Sequence, residues 1–303
     1  MGVREGAALR ALVTGAAGQD GSYLVELLRG RGYEVVAIDR GDVDLLDAGA
    51  VRAALREAAP REVYNLASPS FVPRSWTEPV EVAQLGAVGV TLMLEAIRDI
   101  DSTIRFFQAS SADVFGIPVE TPQSEATPFR PVSPYGAAKA YASFITSAYR
   151  SRYGLHASSA ILFNHESPRR SGEFLPAKVA HGVAAIAAGR EHELVLGDLE
   201  ARRDWGYAPD FVEAMWLMLQ QDVPDDYVIA TGETHSVAEL VELAFAHAGL
   251  DWQAHVRVDE SLLRAQSYQL VGDATKARAA LGWTPTVSFE QLVALLVDAA
   301  RAT

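Results

Sequence analysis

Short apolar runs recur along the first half of the chain at residues 9–13, 35–38, 63–66, 104–108 and 159–163. Each has the length of a strand, and longer helical stretches separate them. Runs that are apolar throughout, rather than alternating, suit strands that bury both sides, as in a parallel sheet covered on both faces. The repeat of strand and helix up to about residue 165 therefore predicts an α/β fold with a doubly wound parallel sheet. After Phe163 the pattern breaks into Asn164-His165-Glu166-Ser167-Pro168-Arg169-Arg170, a polar and basic segment of the kind that faces a ligand. The remainder mixes helices with short strands and predicts a smaller C-terminal lobe. Ser236 with Glu239, and Ser288 with Gln291, fit capping boxes ahead of apolar-periodic helices. The face formed by Met215, Trp216, Leu217, Met218 and Leu219 is assigned to core packing.

Chemistry enters where the strands end. Thr14-Gly15-Ala16-Ala17-Gly18-Gln19-Asp20-Gly21 joins the first apolar run to an amphipathic stretch at 23–29. In such a strand–turn–helix, Gly15 permits the turn, Gly18 lets the backbone approach a pyrophosphate, and Gly21 packs helix against strand, with helix amides aimed at the anion. An ordinary strand-to-helix turn is the alternative. The second strand ends in Asp39, close to the interval at which an acidic side chain meets an adenosine ribose, and this favours a dinucleotide.

Further along, Ser133-Pro134 reads as an N-cap followed by the proline favoured at the first helical position, which places Tyr135 and Lys139 on one helix face. A phenol of ordinary pKa about 10 is a poor base at neutrality. A nearby ammonium and a positive nicotinamide ring are expected to favour the phenolate, making Tyr135 a candidate base for a sugar or alcohol hydroxyl. The spacing alone is common on surface helices; the glycine motif upstream gives it meaning. Ser111 and Asp113 follow the run at 104–108, so they lie at the carboxyl edge of the sheet, where open parallel sheets bind ligands. Ser111 is a candidate hydrogen-bond partner for the hydroxyl that Tyr135 deprotonates, and Asp113 a candidate second acid/base. Closing a turn is the alternative role for both.

Composition narrows the classes. The chain has 303 residues, 49% of them hydrophobic, enough for one large α/β unit plus a smaller lobe. A formal net charge of -13 argues against nucleic acid or an anionic membrane as the main partner. An anionic ligand would need local basic clusters, for which Arg169, Arg170, Lys178, Arg202, Arg203 and Arg264 are the candidates, with solvated surface the expectation for about half of them. The absence of cysteine excludes disulfides, thiolate nucleophiles and cysteine-ligated zinc. The histidines form no H-E-x-x-H arrangement, so no metal is expected. No signal-like apolar core follows the N-terminus and no stretch approaches membrane-spanning length, so a cytoplasmic location is expected.

These residues resemble the extended short-chain dehydrogenase/reductase superfamily, a Rossmann-type fold, and within it the GDP-mannose 4,6-dehydratase family. The resemblance runs along nearly the whole chain. It is carried by Gly18-Gln19-Asp20-Gly21-Ser22-Tyr23-Leu24, Glu62-Val63-Tyr64-Asn65-Leu66-Ala67, Ser133 to Lys139, Phe163 to Arg170, Arg203-Asp204-Trp205-Gly206, Glu213 to Gln221, and Ala230-Thr231-Gly232-Glu233. It implies a dinucleotide-binding unit of residues 1–165 plus 206–232 and a nucleotide-sugar lobe of residues 166–205 plus 233–303. It also implies an internal redox cycle. Tyr135, supported by Lys139 and Ser111, takes the C4 hydroxyl proton while hydride passes to a tightly bound NAD or NADP. The C5 proton is then removed, for which Asp113 is the candidate, water leaves from C6, and the hydride returns to C6. The product is a GDP-4-keto-6-deoxy sugar. By the same resemblance Gly15, Gly18, Gln19, Asp20, Gly21, Asp39, Arg40, Asp44, Leu45, Leu66 and Ala67 surround the cofactor, with Tyr135 and Lys139 at its reactive end. Ser70, Asn164, Lys178, Arg203 and Arg264 hold the GDP-sugar, and a homodimer or homotetramer is implied.

The chain departs from the family in three places. Asp113 stands where the family has glutamate, and Ser111 where it has threonine; one methylene fewer retracts the carboxylate by about 1.5 Å. The family's Arg- and Ser-rich loop after the second strand is missing, and Asp39-Arg40-Gly41 runs almost directly into Asp42-Val43-Asp44. A carboxylate there favours ribose hydroxyls over a 2′-phosphate, which tilts the expectation slightly to NAD. Ser68-Pro69-Ser70-Phe71 replaces a more polar segment beside the nicotinamide. The shortened first half also resembles GDP-4-keto-6-deoxymannose reductases, and a nucleotide-sugar 4-epimerase follows the same logic. A catalytically silent nucleotide sensor gains no support from an intact Tyr135 and Lys139.

Overall fold

A computed structural model describes residues 9–262 and 269–302. The strands β1 (Arg10–Thr14), β2 (Glu34–Ile38), β3 (Glu62–Asn65), β4 (Arg105–Ala109) and β5 (Ala157–Leu162) lie within two residues of the predicted apolar runs. Shorter strands follow: β6 (Asn164–Glu166), β7 (Leu194–Leu196), β8 (Arg202–Arg203), β9 (Trp205–Tyr207) and β10 (Tyr227–Ile229). The last of these joins the first five in one parallel sheet of order β10-β5-β4-β3-β1-β2. The order reverses at the junction of β1 and β3, and ligands bind at the carboxyl ends of strands flanking such a switch point. β2 is an edge strand. The chain passes from it through the short segment 39–47 straight into the next helix.

Alternation of side chains assigns the two faces. Leu12, Val63, Phe106 and Ala157 point to one side, where α2 (Ala48–Ala58), α5 (Val90–Ile100) and α6 (Pro134–Tyr153) cover them with Val51, Leu55, Leu94, Ile97 and Ala142. Val13, Tyr64 and Phe107 point to the other, against Leu24 and Leu28 of α1 (Gln19–Gly30) and Phe211 and Met215 of α8 (Ala208–Gln220). Full burial of one such leucine stabilises the fold by roughly 1.5–3 kcal/mol. The sheet is thus doubly wound, as the sequence pattern predicted. Ahead of α5, the short helices α3 (Arg74–Thr77) and α4 (Pro79–Ala83) lead into a π-helical stretch at Gln84–Gly89. By length and composition Pro79–Ile100 would cross a bilayer, but here Val90, Met93, Leu94 and Ile97 lie in the core of the sheet.

A separate core gathers α7 (Leu175–Ala187), α9 (Val237–His247) and α11 (Phe289–Arg301) around Val183, Phe245, Val297 and Trp205. Both capping boxes form, at Ser236 with Glu239 and at Ser288 with Gln291. Three strand pairs edge this region: β6 with β9, β8 with β11 (His235–Ser236), and β7 with β12 (Val256–Val258). One part of the 233–303 segment goes elsewhere. Ala274, Ala277 and Leu281, on or beside α10 (Thr275–Leu281), and Trp283 pack into the core of the large sheet, with the Trp283 indole donating to the Asp210 carbonyl at 2.7 Å.

Candidate active site

The glycine turn follows β1 directly. Gly15 has φ +69°, and a Cβ there would stand 3.0 Å from the Ala67 amide nitrogen. A Cβ on Gly21 would strike the Gly15 carbonyl oxygen at 2.1 Å, so only glycine lets α1 pack this close. Gly18 differs: within 4 Å its Cβ would meet only the Gly15 oxygen, at 3.2 Å. Gly18 is also the N-cap of α1 and supplies no side-chain cap, which leaves first-turn amides for an anion. Two glycines are thus required by the fold itself, and the third opens the backbone where a pyrophosphate would lie. The cradle fits a dinucleotide.

Around it, the Asp39 carboxylate at the end of β2 accepts the Ala17 amide and steadies the glycine turn. The Asp39 amide donates to Asp42 at 2.8 Å. Arg40 is exposed and ion-paired with Glu81. Asp44 caps its own turn through the Leu46 amide at 2.9 Å, Leu45 packs on the core beneath α2 and α5, and the Leu66 amide donates to the Thr14 carbonyl at 3.3 Å. Gln19 and Asp20, expected at the cofactor, spend their side chains on the segment after β5. The Gln19 amide donates to the His165 carbonyl at 3.0 Å and accepts from Ser167 at 2.9 Å, and Asp20 meets His165 Nε2 at 2.9 Å. His165 in turn bonds the Phe163 carbonyl through Nδ1 at 2.7 Å and stacks on Phe211 with centroids 4.5 Å apart. The Asp20 carboxyl is held below its ordinary value by His165 against the opposing effect of burial, and His165 is raised by Asp20.

The catalytic candidates converge at the carboxyl edge. Ser133 caps α6 by accepting the Gly136 amide at 3.0 Å, with Pro134 in the first turn, and this aims Tyr135 and Lys139 inward, both buried. Lys139 Nζ lies 5.7 Å from the Tyr135 ring centroid and donates to the Ala109 carbonyl at 2.9 Å. Ser111 closes a turn, the alternative role the sequence left open: its hydroxyl caps Ala112–Val114 by accepting the Asp113 amide at 3.2 Å. The Ser111 hydroxyl lies 3.4 Å from Asp113 Oδ2.

Burial dominates the electrostatics of Tyr135 and Lys139. Burial pushes the Tyr135 phenol well above its ordinary value, the Asp113 carboxylate adds to the rise, and the Ser111 hydrogen bond opposes it. Burial also pulls Lys139 down to about 8. Lys139 alone therefore does not tilt Tyr135 toward phenolate, because removal from water penalises the charged form of both groups.

The basic candidates separate. Arg169 pairs with Glu26 at 2.7 Å and covers the Tyr23 ring, and Arg202 pairs with Glu239 at 3.0 Å. Arg170 lies 3.3 Å from the buried Glu166 and 3.5 Å from the Phe174 ring centroid. Lys178 is exposed on α7 and donates to the Val195 carbonyl at 2.8 Å, while Arg203 on β8 is half-buried and donates to the Arg202 carbonyl at 2.6 Å. Asn164 and Ser70 are exposed beyond the carboxyl ends of β5 and β3, and Arg264 lies outside the described residues. The sequence reading passed over the Asp20–His165 pair and the buried Glu166, whose carboxyl burial raises to about 7. The signal available was the run of titratable residues at 165–170 directly after a buried strand.

A family model described as GDP-mannose 4,6 dehydratase matches residues 12–43 and 41–296, the two stretches meeting at the shortened turn after β2. GDP-mannose 4,6 dehydratase 2 of Arabidopsis thaliana is 45% identical over 320 aligned residues, spanning 95% of this chain and 86% of that protein. The GDP-mannose 4,6 dehydratase of Homo sapiens is 41% identical over 95% of this chain and 90% of its own length. Among solved structures, the UDP-glucose 4-epimerase of Thermus thermophilus in complex with NAD is 30% identical with a TM-score of 0.85, over 97% of this chain and all of that one. RMD from Pseudomonas aeruginosa complexed with NADPH reaches a TM-score of 0.88 at 23% identity over 97% of this chain and 99% of that one, a likeness of fold. A glycine cradle at a switch point, a buried tyrosine and lysine on one helix face, and these matches along its length agree: the chain belongs to the GDP-mannose 4,6-dehydratase family.

Proposed function

We propose that this chain is an NAD(P)-dependent nucleotide-sugar dehydratase that converts GDP-mannose to a GDP-4-keto-6-deoxy sugar. The observation that carries the reading is a second carboxylate at the carboxyl edge: Asp113 Oδ2 lies 3.4 Å from the Ser111 hydroxyl, on the turn that follows β4, beside the helix that carries the buried Tyr135 and Lys139. A reductase or an epimerase needs no second carboxylate there. Bound nicotinamide would supply a hydride acceptor that later returns its hydride, and a positive charge beside Tyr135. Tyr135 takes the proton of the sugar C4 hydroxyl, Ser111 holds that hydroxyl, and Lys139 adds positive charge below the ring. Asp113 removes the C5 proton. Asn164, Lys178, Arg203 and Ser70 are the candidates to hold the sugar diphosphate; Asn164, Lys178 and Ser70 are exposed and Arg203 is half-buried.

Asp39 without the family's loop supports NAD at least as well as NADP, because its carboxylate repels a 2′-phosphate and Arg40 is engaged by Glu81. Exposed Val80, Val88, Tyr141 and Phe144 on the helices over one side of the sheet support pairing of two copies through that face. Incubation of the purified protein with GDP-mannose alone, followed by the alkali-induced absorbance of a keto sugar, tests the function. Product without added NADPH is expected. NAD(P)H oxidation with the keto sugar, and no product from GDP-mannose, would mean a reductase instead. Titration of both dinucleotides into the same protein checks the cofactor, and a strong preference for NADP would overturn that part.

A further inference from the structure

On the side of the sheet facing α2, α5 and α6, four strands change character at one level. Leu12, Val63, Phe106 and Ala157 stand in register across β1, β3, β4 and β5 and are buried. Two residues nearer the carboxyl edge, the next row on that face is Thr14, Asn65, Gln108 and Ser159, again in register and none more than 4% exposed. Amide side chains in so dry a place cost free energy unless their polar atoms are bonded. Here they are bonded in series. The Thr14 hydroxyl donates to Asn65 Oδ1 at 2.7 Å, Asn65 Nδ2 donates to Gln108 Oε1 at 2.8 Å, and Gln108 Nε2 donates to the Ala109 carbonyl at 2.9 Å.

That carbonyl also accepts the Lys139 ammonium, at 2.9 Å. β3 ends at Asn65, opposite Gln108, so Ala109 is the first residue of β4 past the end of its neighbour. At the other end of the series, Thr14 Oγ1 accepts the Ala67 amide at 3.3 Å, and Ala67 is the residue against which Gly15 closes. The fourth member of the row reaches the same helix by another route: Ser159 lies 3.3 Å from Ser143, which donates to the Lys139 carbonyl at 3.1 Å. An apolar row of the same shape would support the sheet about as well, so stability alone does not account for the amides.

We propose that Asn65 and Gln108 are positioning residues that fix the Lys139 ammonium against Tyr135 through the Ala109 carbonyl, and that tie this position, through Thr14, to the turn at Gly15 and Ala67. Gln108 orients the peptide that Lys139 grips, and Asn65 orients Gln108. The proposal rests on the reading of Tyr135 and Lys139 as the acid/base pair.

The test uses Gln108→Met, which keeps length and removes the donor, and Asn65→Ser, which leaves Gln108 in place but loosens its far end. Loss of position predicts for Gln108→Met a kcat lower by about tenfold or more, with KM for GDP-mannose within about twofold of the parent. The acid limb of its pH profile should move up by about half a unit, because the ammonium no longer sits where it offsets part of the burial penalty on the phenolate. Asn65→Ser should shift in the same direction by less, and it carries the test if Gln108→Met does not fold. Ser158→Ala, a buried hydroxyl on the opposite side of β5 with no hydrogen-bond partner among the described residues, should match the parent. A second readout needs no turnover: the chain has three lysines, Lys139, Lys178 and Lys276, so an NMR titration of lysine-labelled protein resolves Lys139. Its midpoint should rise in both variants from about 8 toward an ordinary lysine value, as the released ammonium moves toward water. A parental acid limb and a parental Lys139 midpoint in both variants would overturn the proposal. Tyr135→Phe separates the two layers. Full activity in that variant would remove the base assignment, while the lysine titration would still decide whether Asn65 and Gln108 position Lys139.

Discussion

At the scale of single residues the decisive contrast is between Tyr135 and Asp113. Both sit at the carboxyl edge of the sheet, and the sequence placed them there from the strand before Ser111 and the cap before Tyr135. Their chemistry depends on distance. As the proposed C5 base, Asp113 is one methylene shorter than the glutamate expected from the family resemblance, so it would reach C5 by a shift of residues 112–116 or through a water, and deprotonation should be slow. Asp113→Glu is therefore expected to raise the turnover rate. Asp113→Asn is expected to stop elimination while oxidation at C4 still reduces bound cofactor. Deuterium incorporation at C5 of recovered sugar measures the step, and turned-over sugar without deuterium would remove the dehydratase reading.

At the scale of elements, capping and glycine placement carry most of the information. Ser133, Ser236 and Ser288 start their helices as the sequence indicated, because a cap is satisfied within three residues and needs no distant partner. β10 escaped the sequence reading: three buried residues show no periodicity to detect, and only pairing with β5 makes them a strand. The glycine turn allows a test in which two similar substitutions diverge. Gly21→Ala drives a methyl into the Gly15 carbonyl, and overpacking of this kind costs roughly 1–3 kcal/mol. It should lower the melting temperature even without ligand. Gly18→Ala meets only one atom, at 3.2 Å, and its φ of -65° suits alanine. That variant should keep its melting temperature and lose dinucleotide affinity. Calorimetry on both checks the pair, and parental affinity in Gly18→Ala would mean that the pyrophosphate lies elsewhere.

At the scale of the whole molecule, buried ionisable groups make stability depend on pH. Glu166 has a folded pKa raised from its ordinary value to about 7, so the folded state loses relative stability as pH climbs from 4.5 to 7, by on the order of 3 kcal/mol. His165 is also raised, and its contribution is full below its unfolded value and lost as pH rises through the folded one. Asp20 is lowered, so its contribution is present above its ordinary value and lost only in acid. Glu166 and His165 place the optimum on the acid side of neutrality, and Asp20 sets its lower limit. The melting temperature should fall between pH 5 and pH 8, and Glu166→Gln should flatten that slope. A flat profile in the parent protein would contradict the burial of these groups. Assembly is the second property at this scale. Light scattering is expected to report a dimer or tetramer, and Phe144→Asp on the exposed helix face should yield monomer; a monomeric parent would remove that surface as an interface.

The sequence by itself determined the succession of five strands and their bounds to within two residues, the doubly wound sheet, the glycine cradle, and the pairing of Tyr135 with Lys139 on one helix face. These follow from periodicity, caps and turn residues, which act over a few positions along the chain. The tertiary structure alone decided that Gln19 and Asp20 clasp the segment at His165, that Arg169 and Arg202 are held in ion pairs, and that burial outweighs Lys139 in setting the state of Tyr135. It also joined Thr14, Asn65 and Gln108 into one series from strands far apart in sequence. Each of these depends on which distant groups meet and how much water is excluded between them, and desolvation and pairing act through space rather than along the chain.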